Sequence, residues 1–252
     1  MTLGWILAAS FAGGTLSAAL AAFALYLRAS WIPMLVSFAI GTLLGAAFLE
    51  VIPHAFDSGD AHEAALSILG GIFGFFVLEK LMLWRHCHTE DCEAHDHRAE
   101  HDHGRSGALI IVGDTIHNFV DGVLIAAAFL QGHEVGIIAA VAIIAHEIPQ
   151  EVGDFLILLH SGYSRARALA MNLLSSLATI VGGLLGYYVL QVLRGLETML
   201  LGVVAASMIY VAVADLIPGL HRRPQIRDGA IQTVLIALGI GCIALVRAVV
   251  TH

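Results

Sequence analysis

Two short stretches of the chain combine imidazole, carboxylate and carboxamide side chains at helical spacing. In GDTIHNFVDG, His117 and Asp121 are four residues apart, and in HEIPQEVGDF, His146 and Gln150 have the same spacing. Residues four apart share one face of an α-helix. Three further polar side chains have helical spacing: Asn118 lies three residues before Asp121, Glu147 lies three before Gln150, and Glu151 lies four after Glu147. Two such faces turned toward each other would bind a divalent transition-metal ion, zinc above all.

The same two helical faces carry more polar residues than one enclosed metal site would need. Asp114 lies about one helical turn before His117, and Asp154 lies one turn after Gln150. Pro149 leaves the backbone carbonyl one turn earlier without its helical donor. Such carbonyls are tolerated at membrane depth where they line a cavity or pathway. This arrangement favours a stepped path for a cation over a single structural site.

Both stretches lie inside strongly apolar segments. The chain has 252 residues, of which 58% are hydrophobic and 13% charged, and this composition indicates an integral membrane protein. An ionisable side chain in the hydrocarbon costs a few kcal/mol, so it is rare and usually functional. A network of helix–helix hydrogen bonds is the structural alternative, but two histidines and several acids at ligand spacing favour a metal site. Glu79 and Lys80, at the end of one apolar segment, are expected to be an interfacial pair.

Eight segments have the length of about 20 residues that a membrane-spanning helix needs. The predicted fold is therefore an all-α integral membrane protein with eight transmembrane helices, forming one transmembrane domain over residues 1–252. The predicted spans are 3–27, 31–54, 64–84, 107–130, 135–159, 166–192, 196–219 and 229–250. Glycine pairs at small-xxx-small spacing predict close contacts between helices. These pairs are Gly41/Gly45, Gly70/Gly74 and Gly182/Gly186.

The connection between spans three and four, residues 86–106, is polar and holds six histidines and six acidic residues. Such a segment cannot form a core. Its histidines can hold metal loosely near neutral pH, although a merely solvated linker is the alternative. The candidate loop ligands are His86, His88, His95, His97, His101 and His103.

The arginines predict the orientation of the chain. With eight spans both termini lie on one side, and nearly all the arginines then fall in loops on the other side. By the positive-inside rule, both termini are outside a plasma (inner) membrane and the histidine-rich loop is cytoplasmic. No signal-peptide pattern precedes the first span, which is expected to remain as a helix. No basic cluster suggests a nucleic-acid partner, and the three cysteines form no disulfide framework.

The motif pair HNFVDG and HEIPQE, on adjacent spans of an eight-span protein with a histidine-rich loop, resembles the ZIP (Zrt/Irt-like) metal transporters. Within that family it resembles the bacterial-type subgroup with HNFxDG and HEIPxE motifs. The acid-x-Ile-Pro turns that begin at Glu50 and Asp215, in spans two and seven, resemble the family as well. Because these two spans run in opposite directions, they suggest an inverted repeat.

The resemblance implies a midplane binuclear metal site between helices four and five, which would move against the other helices. The principal site would be formed by His117, Asp121, His146 and Gln150. Asn118 and Glu147 would form the neighbouring site and share Asp121, while Glu151 lies in the motif without an assured role. Gln150 departs from the histidine or glutamate of many relatives, which predicts a weaker principal site and leaves the second ion open.

The resemblance further implies transport of a divalent metal into the cytoplasm by alternating access. Zinc is the expected substrate, with iron, manganese and cadmium as alternatives, one or two ions at the midplane site and no organic cofactor. The other expected partner is the lipid bilayer. The sequence is also compatible with a homodimer, in which a second copy of the chain is a partner. Candidate pathway residues are Asp114, Asp154, Glu50, Asp215, Asn172, Ser175 and Ser176.

Two other classes of protein bind metal with similar residues. An intramembrane zinc metalloprotease would use HExxH, in which two histidines bind the metal and the glutamate activates water. Here the position of the second histidine is Gln150. A metal sensor without transport would require a large output domain, for which the chain leaves no room. The sequence therefore favours a transporter.

Overall fold

The computed structural model describes residues 1–23, 31–86, 105–192, 196–221 and 226–250. In that part of the chain, eight helices are long and apolar enough to cross a membrane. Spans one, three, four and five are single helices: α1 (Thr2–Phe23), α4 (Ala61–His86), α5 (Arg105–Gln131) and α6 (His133–His160). Spans six and eight are α7 (Arg165–Leu190) and α10 (Ile226–Val250). The predicted fold class is confirmed, and the described helix ends lie within four residues of the predicted ones.

Spans two and seven are each interrupted by a π-helical turn. Span two consists of α2 (Ile32–Ala46), the turn π1 (Ala47–Val51) and α3 (Ile52–Asp57). Span seven consists of α8 (Glu197–Tyr210), the turn π2 (Val211–Leu216) and α9 (Ile217–His221).

The two π turns have the same local cause. In each, the isoleucine before the proline donates its backbone N–H five residues back, from Ile52 to Ala47 and from Ile217 to Ala212. The following proline has no N–H to continue the α-helical ladder, and a single widened turn absorbs the mismatch. The acid-x-Ile-Pro turns predicted from the sequence therefore deform both spans alike and place Glu50 and Asp215 inside the deformation.

The described helices pack as two groups. Spans one, four, five and six contact one another through α1, α5, α6 and α7, and spans two, three, seven and eight form the second group. The groups meet mainly where α2 lies against α6, with smaller contacts from α5 to α8 and from α10 to α6. The helices α5 and α6, which carry both polar stretches, thus lie within one group and at its boundary with the other.

Two of the three predicted glycine contacts are confirmed. A Cβ on Gly41 would overlap the carbonyl oxygen of Ile236 on span eight, and one on Gly182 would overlap the carbonyl oxygen of Phe119 on span four. The prediction for Gly70/Gly74 is wrong within the described chain, because no atom of the described residues would lie within 4 Å of a Cβ at either position. Gly71 makes the contact instead: its added Cβ would lie 2.6 Å from the Cβ of Ala206 on span seven.

Candidate metal site

Four side chains of spans four and five converge on one point. The Nε2 atom of His146 lies 3.1 Å from Asp121 Oδ2 and 3.3 Å from His117 Nε2. His117 Nε2 in turn lies 3.6 Å from both Asp121 Oδ2 and Glu147 Oε1. One donor atom from each of the four lies within 4.8 Å of the others. We refer to His117, Asp121, His146 and Glu147 as the histidine cluster.

The spacing within the histidine cluster suits a small cation. A tetrahedral zinc ion with bonds of about 2.0 Å separates its ligand atoms by about 3.3 Å. This value falls within the range of 3.1–3.9 Å for the pairs of cluster atoms that include a histidine nitrogen. Asp121 and Glu147 are 2% and 3% exposed. Among the described residues, no hydrogen bond reaches Glu147 Oε1, and Asp121 Oδ2 lies 3.1 Å from the ring nitrogen of His146. Buried carboxylate oxygens without donors are unfavourable, and a cation between them would remove the penalty.

The backbone orients His146 for this role. Its Nδ1 lies 3.4 Å from the carbonyl oxygen of Ala142, one turn earlier on the same helix. An Nδ1–H that donates to that carbonyl leaves Nε2 with a free lone pair directed at the cluster, as in many metal-binding histidines. His146 is buried, whereas the side chain of His117 is 24% exposed. The cluster is therefore reachable from one side, through His117.

Gln150 and Asn118 point away from the histidine cluster toward Asp114. The Gln150 amide nitrogen lies 3.5 Å from Asp114 Oδ1. Asn118 donates to the same oxygen at 2.9 Å and to the Asp114 carbonyl at 3.1 Å. The Asn118 Oδ1 atom accepts a hydrogen bond of 3.0 Å from Thr179. In the structure, the carboxylate that span five contributes to the cluster is that of Glu147, and Gln150 lies beside the cluster.

Span six supports the polar residues of the other two helices. Ser176 donates to Glu151 Oε1 at 2.8 Å, and the Asn172 amide donates to the Glu151 carbonyl at 2.8 Å. Ser175 donates to the Asn172 carbonyl. Sequence reasoning missed Thr179, although it continues the helical face of the other three at the spacing i, i+3, i+4, i+7. All four side chains are buried: Asn172, Ser175, Ser176 and Thr179.

The remaining predicted pathway residues lie in different surroundings. Glu50 is 1% exposed, and its Oε2 lies 2.9 Å from Arg247 Nε on span eight. His54 Nδ1 approaches the other oxygen at 3.3 Å. Asp215, the counterpart of Glu50 in the second π turn, is exposed. Asp114 is buried and Asp154 is half-buried.

The expectation of an interfacial pair between Glu79 and Lys80 is not what the structure shows. Glu79 accepts a hydrogen bond from the hydroxyl of Tyr210 on span seven. The ammonium group of Lys80 lies 5.6 Å from the centre of the Phe76 ring, on its own helix. Neighbours in sequence point about 100° apart on a helix, so the two side chains reach different surroundings.

The loop candidates cannot be placed in the same way. His88, His95, His97, His101 and His103 lie outside the described residues, and the side chain of His86 is likewise not described. Their role as loose metal ligands stays a prediction.

In the described part of the chain, eight helices have membrane-spanning length, and two of them carry a compact set of imidazole and carboxylate donors that could hold a metal ion. These features are typical of a polytopic membrane protein that transports metal ions. Comparison with known proteins gives the family. The profile described as ZIP zinc transporter matches residues 2–106 and 83–247. The chain belongs to this family.

Individual relatives agree with the family assignment. The chain is 32% identical over 225 residues to zinc transporter ZIP13 of Pongo abelii, covering 82% of this chain and 64% of that protein. It is 28% identical over 241 residues to zinc transporter YKE4 of Saccharomyces cerevisiae, covering 84% and 70%. It is 30% identical to zinc transporter ZIP13 of Danio rerio, covering 84% and 74%. These relatives are eukaryotic, so the bacterial-type subgroup stays a prediction.

Proposed function

We propose that the protein transports a divalent transition-metal ion, zinc foremost, across a membrane into the cytoplasm. The observation that carries this proposal is the histidine cluster: four donor atoms within 4.8 Å of one another, buried between two membrane-spanning helices. The names of the relatives, which are zinc transporters, agree with it. An intramembrane zinc protease has no support, since Gln150 stands where the second histidine of HExxH would be.

The ligand set explains the proposed preference for zinc. Two imidazole nitrogens and two carboxylate oxygens form a borderline-soft site that suits zinc, whereas manganese prefers oxygen ligands alone. A transported ion must also leave, so the affinity must be moderate. The partly exposed His117 fits this requirement, since one ligand can exchange with water while the other three remain buried.

The polar residues around the cluster supply a path to and from it. Exposed side chains at the junction of spans two and three would attract the hydrated ion: Asp57, Asp60, His62 and Glu63. After binding, rearrangement of the group that contains spans four and five against the group that contains span two would expose the ion to the other side. Asp114 and Asp154, together with the histidine-rich loop, would then receive it. Asp215, which is exposed, is proposed to line the exit.

For the orientation, we propose a plasma (inner) membrane with both termini outside and the loop cytoplasmic, as the arginines indicate. The native thiols Cys87 and Cys92 lie in this loop. A membrane-impermeant maleimide should therefore label them only after the cells are permeabilised. Labelling of intact cells at the same rate would reverse the orientation.

Contact with lipid, or with a second copy, is also proposed. Span three exposes large apolar side chains such as Leu69, Phe73 and Phe76. Exposed apolar surface of this kind is covered by lipid tails or by another subunit in a membrane. Cross-linking in native membranes distinguishes the two, because only a homodimer gives a product of twice the chain mass.

The first prediction concerns a ligand of the histidine cluster. Asp121→Ala should reduce zinc uptake by proteoliposomes by more than about tenfold, because loss of even an indirect metal contact costs 10–100-fold in affinity. The protein should still insert and fold, since removing the buried carboxylate also removes a desolvation penalty. Glu134→Ala, a carboxylate on span five outside the cluster, serves as the control. Near-normal uptake by folded Asp121→Ala protein would refute the assignment.

A further inference from the structure

A groove of about 730 Å³ lies between spans three and seven, and no residue of the histidine cluster lines it. Its floor is the face of span three that carries Gly70 and Gly74, while Met199 and Val203 of span seven line the other side. No atom of the described residues would lie within 4 Å of a Cβ on either glycine, so the floor is bare backbone there. We call this surface the glycine groove.

The glycine groove has the length of a lipid tail. Its lining extends along span three from Glu63 to Leu78, a rise of about 22 Å at roughly 1.5 Å per residue. One leaflet supplies about half of the roughly 30 Å of hydrocarbon in a bilayer, so one acyl chain fits within this length. From Leu66 onward the lining is apolar, apart from the hydroxyl of Ser67, which donates to the Glu63 carbonyl. Span three is the least buried of the eight membrane-length helices in the described chain, so lipid can reach this face.

One end of the glycine groove, its mouth, is polar. Asp60, His62 and Glu63 line it at the start of span three, and all three side chains are exposed. The backbone N–H of His62 donates to Asp60 Oδ1 at 3.0 Å, which holds the Asp60 carboxylate in place. Two carboxylates and an imidazole N–H complement a headgroup that combines an ammonium group with a phosphate. A primary ammonium group suits the carboxylates better than a quaternary one, because only the primary group can donate hydrogen bonds.

Charge disfavours a second copy of the chain as the occupant of the glycine groove. In a dimer with its two-fold axis along the membrane normal, both mouths lie at the same depth. Two copies of span three packed through this groove would therefore bring together the carboxylates of two Asp60 and two Glu63 side chains, which repel each other. A zwitterionic headgroup avoids this repulsion. It also leaves the net charge of the mouth acidic, so these residues can still attract a hydrated metal ion.

We propose that the glycine groove binds one phospholipid with a primary-ammonium headgroup, such as phosphatidylethanolamine. The acyl chain would lie over the bare backbone at Gly70 and Gly74. The ammonium group would bind Asp60 and Glu63, and the imidazole of His62 would donate to the phosphate. This inference goes beyond the transport function, since the site contains no residue of the histidine cluster and needs no metal. It narrows the general contact with lipid to one site and one class of lipid.

The test uses the full-length protein, purified in detergent and stripped of lipid. It is mixed with equal amounts of phosphatidylethanolamine, phosphatidylcholine and phosphatidylglycerol that have identical acyl chains. Native mass spectrometry then counts the lipids that stay bound to each protein ion. The wild-type protein should retain one phosphatidylethanolamine at least about tenfold more often than either competitor, because only its ammonium group forms charge-assisted hydrogen bonds with the mouth. Gly74→Leu, which adds a side chain over the floor of the groove, should lose this lipid.

Two further variants test the headgroup separately from the acyl chain. Glu63→Gln should reduce the preference for phosphatidylethanolamine over phosphatidylcholine by about fivefold, since the neutral amide no longer attracts the ammonium group. Asp57→Asn is the matched control: it removes an exposed acid from the same junction of spans two and three, but Asp57 does not line the groove. This variant should retain the lipid as the wild-type protein does.

Three results would overturn the inference. The first is equal retention of the three lipids by the wild-type protein. The second is wild-type retention of phosphatidylethanolamine by Gly74→Leu protein that elutes as a folded protein in size-exclusion chromatography. The third is an unchanged preference in Glu63→Gln, a substitution of an exposed side chain that remains informative if Gly74→Leu fails to insert. A dimer that Gly74→Leu converts to a monomer would assign the groove to a second copy instead. The transport proposal is tested separately, by Asp121→Ala.

Discussion

At the scale of single residues, the site depends on which nitrogen or oxygen atom of each side chain is directed at the histidine cluster. His146 directs Nε2 at the histidine cluster because its Nδ1 faces the Ala142 carbonyl. Glu147 contributes an oxygen that no donor among the described residues satisfies. Gln150, four residues from His146, instead directs its amide toward Asp114. The same helix therefore supplies the cluster with an imidazole and a carboxylate, while its neutral amide lies outside the cluster, next to Asp114.

Gln150→His gives the second prediction. Histidine at this position adds a nitrogen donor within reach of the cluster, so the variant should bind zinc about tenfold more tightly, equivalent to about 1.4 kcal/mol. Its preference for manganese should fall. The gain should be lost as the pH falls, because a ligand histidine must be deprotonated and protonation removes its lone pair.

Competition between zinc and manganese on purified wild-type and Gln150→His protein, from about pH 5.5 to 7.5, measures this effect across the range in which histidine titrates. Tighter zinc binding need not accelerate uptake, since release to the inside slows. If neither zinc affinity nor selectivity changes at any pH, Gln150 does not reach the metal in any state.

At the scale of helices, backbone contacts hold the ligands in register. Spans four and six approach so closely that Gly122 and Gly182 leave no space for a side chain. This approach brings Thr179 to Asn118 and Ser176 to Glu151. Short polar side chains can bridge two helices only when the backbones are near, which glycine permits.

Gly182→Ala gives the third prediction. Its Cβ would overlap the carbonyl oxygen of Phe119, which is backbone and cannot rotate away. The helices must separate, so we expect a destabilisation of about 1–3 kcal/mol and an apparent Tm lower by about 2–4 °C per kcal/mol. Gly74→Ala is the matched control, because no atom lies within 4 Å of a Cβ there.

Thermal unfolding of the two detergent-purified variants compares these positions directly. The control should unfold at the wild-type temperature or slightly above it, since alanine favours the helix. Equal unfolding temperatures for Gly182→Ala and Gly74→Ala would mean that spans four and six are not in close contact.

At the scale of the whole molecule, the proposed metal ligands lie in one group of helices and the deformed spans lie in the other. The histidine cluster and its supports occupy spans four, five and six, while both π turns and their prolines belong to spans two and seven. Contacts between α2 and α6 form the largest part of the boundary. A relative movement of the groups would change the access to the cluster and leave its ligand geometry intact.

The fourth prediction concerns the loop that joins spans three and four. Deletion of residues 88–103 removes five of its six histidines and no residue of the histidine cluster. Zinc uptake by proteoliposomes should therefore persist and saturate, with a changed apparent affinity or regulation. A deletion protein that inserts normally but carries no zinc would place the loop in the obligatory path.

Much of this protein could be predicted from its residues, because hydrocarbon admits few alternatives. A backbone without water must satisfy its own hydrogen bonds, so apolar segments of about 20 residues become helices. The fixed helical period then places His117 with Asp121 on one face and marks the other stretch as its partner. The positions of the eight spans follow from these two constraints. So does the meeting of His117, Asp121 and His146, which the structure brings together; their role as metal ligands stays a prediction.

Which of the neighbouring polar residues joins the histidine cluster was decided only by tertiary packing. Glu147 and Gln150 are both near His146, and helical period alone cannot say which one turns toward span four. Likewise, Gly71 rather than Gly70 or Gly74 contacts span seven, because the rotation of a helix about its axis depends on the helix it packs against. Contacts such as Arg247 with Glu50 join spans far apart in sequence. Spacing along one helix carries no information about such pairs, since they depend on how separate helices are arranged in space.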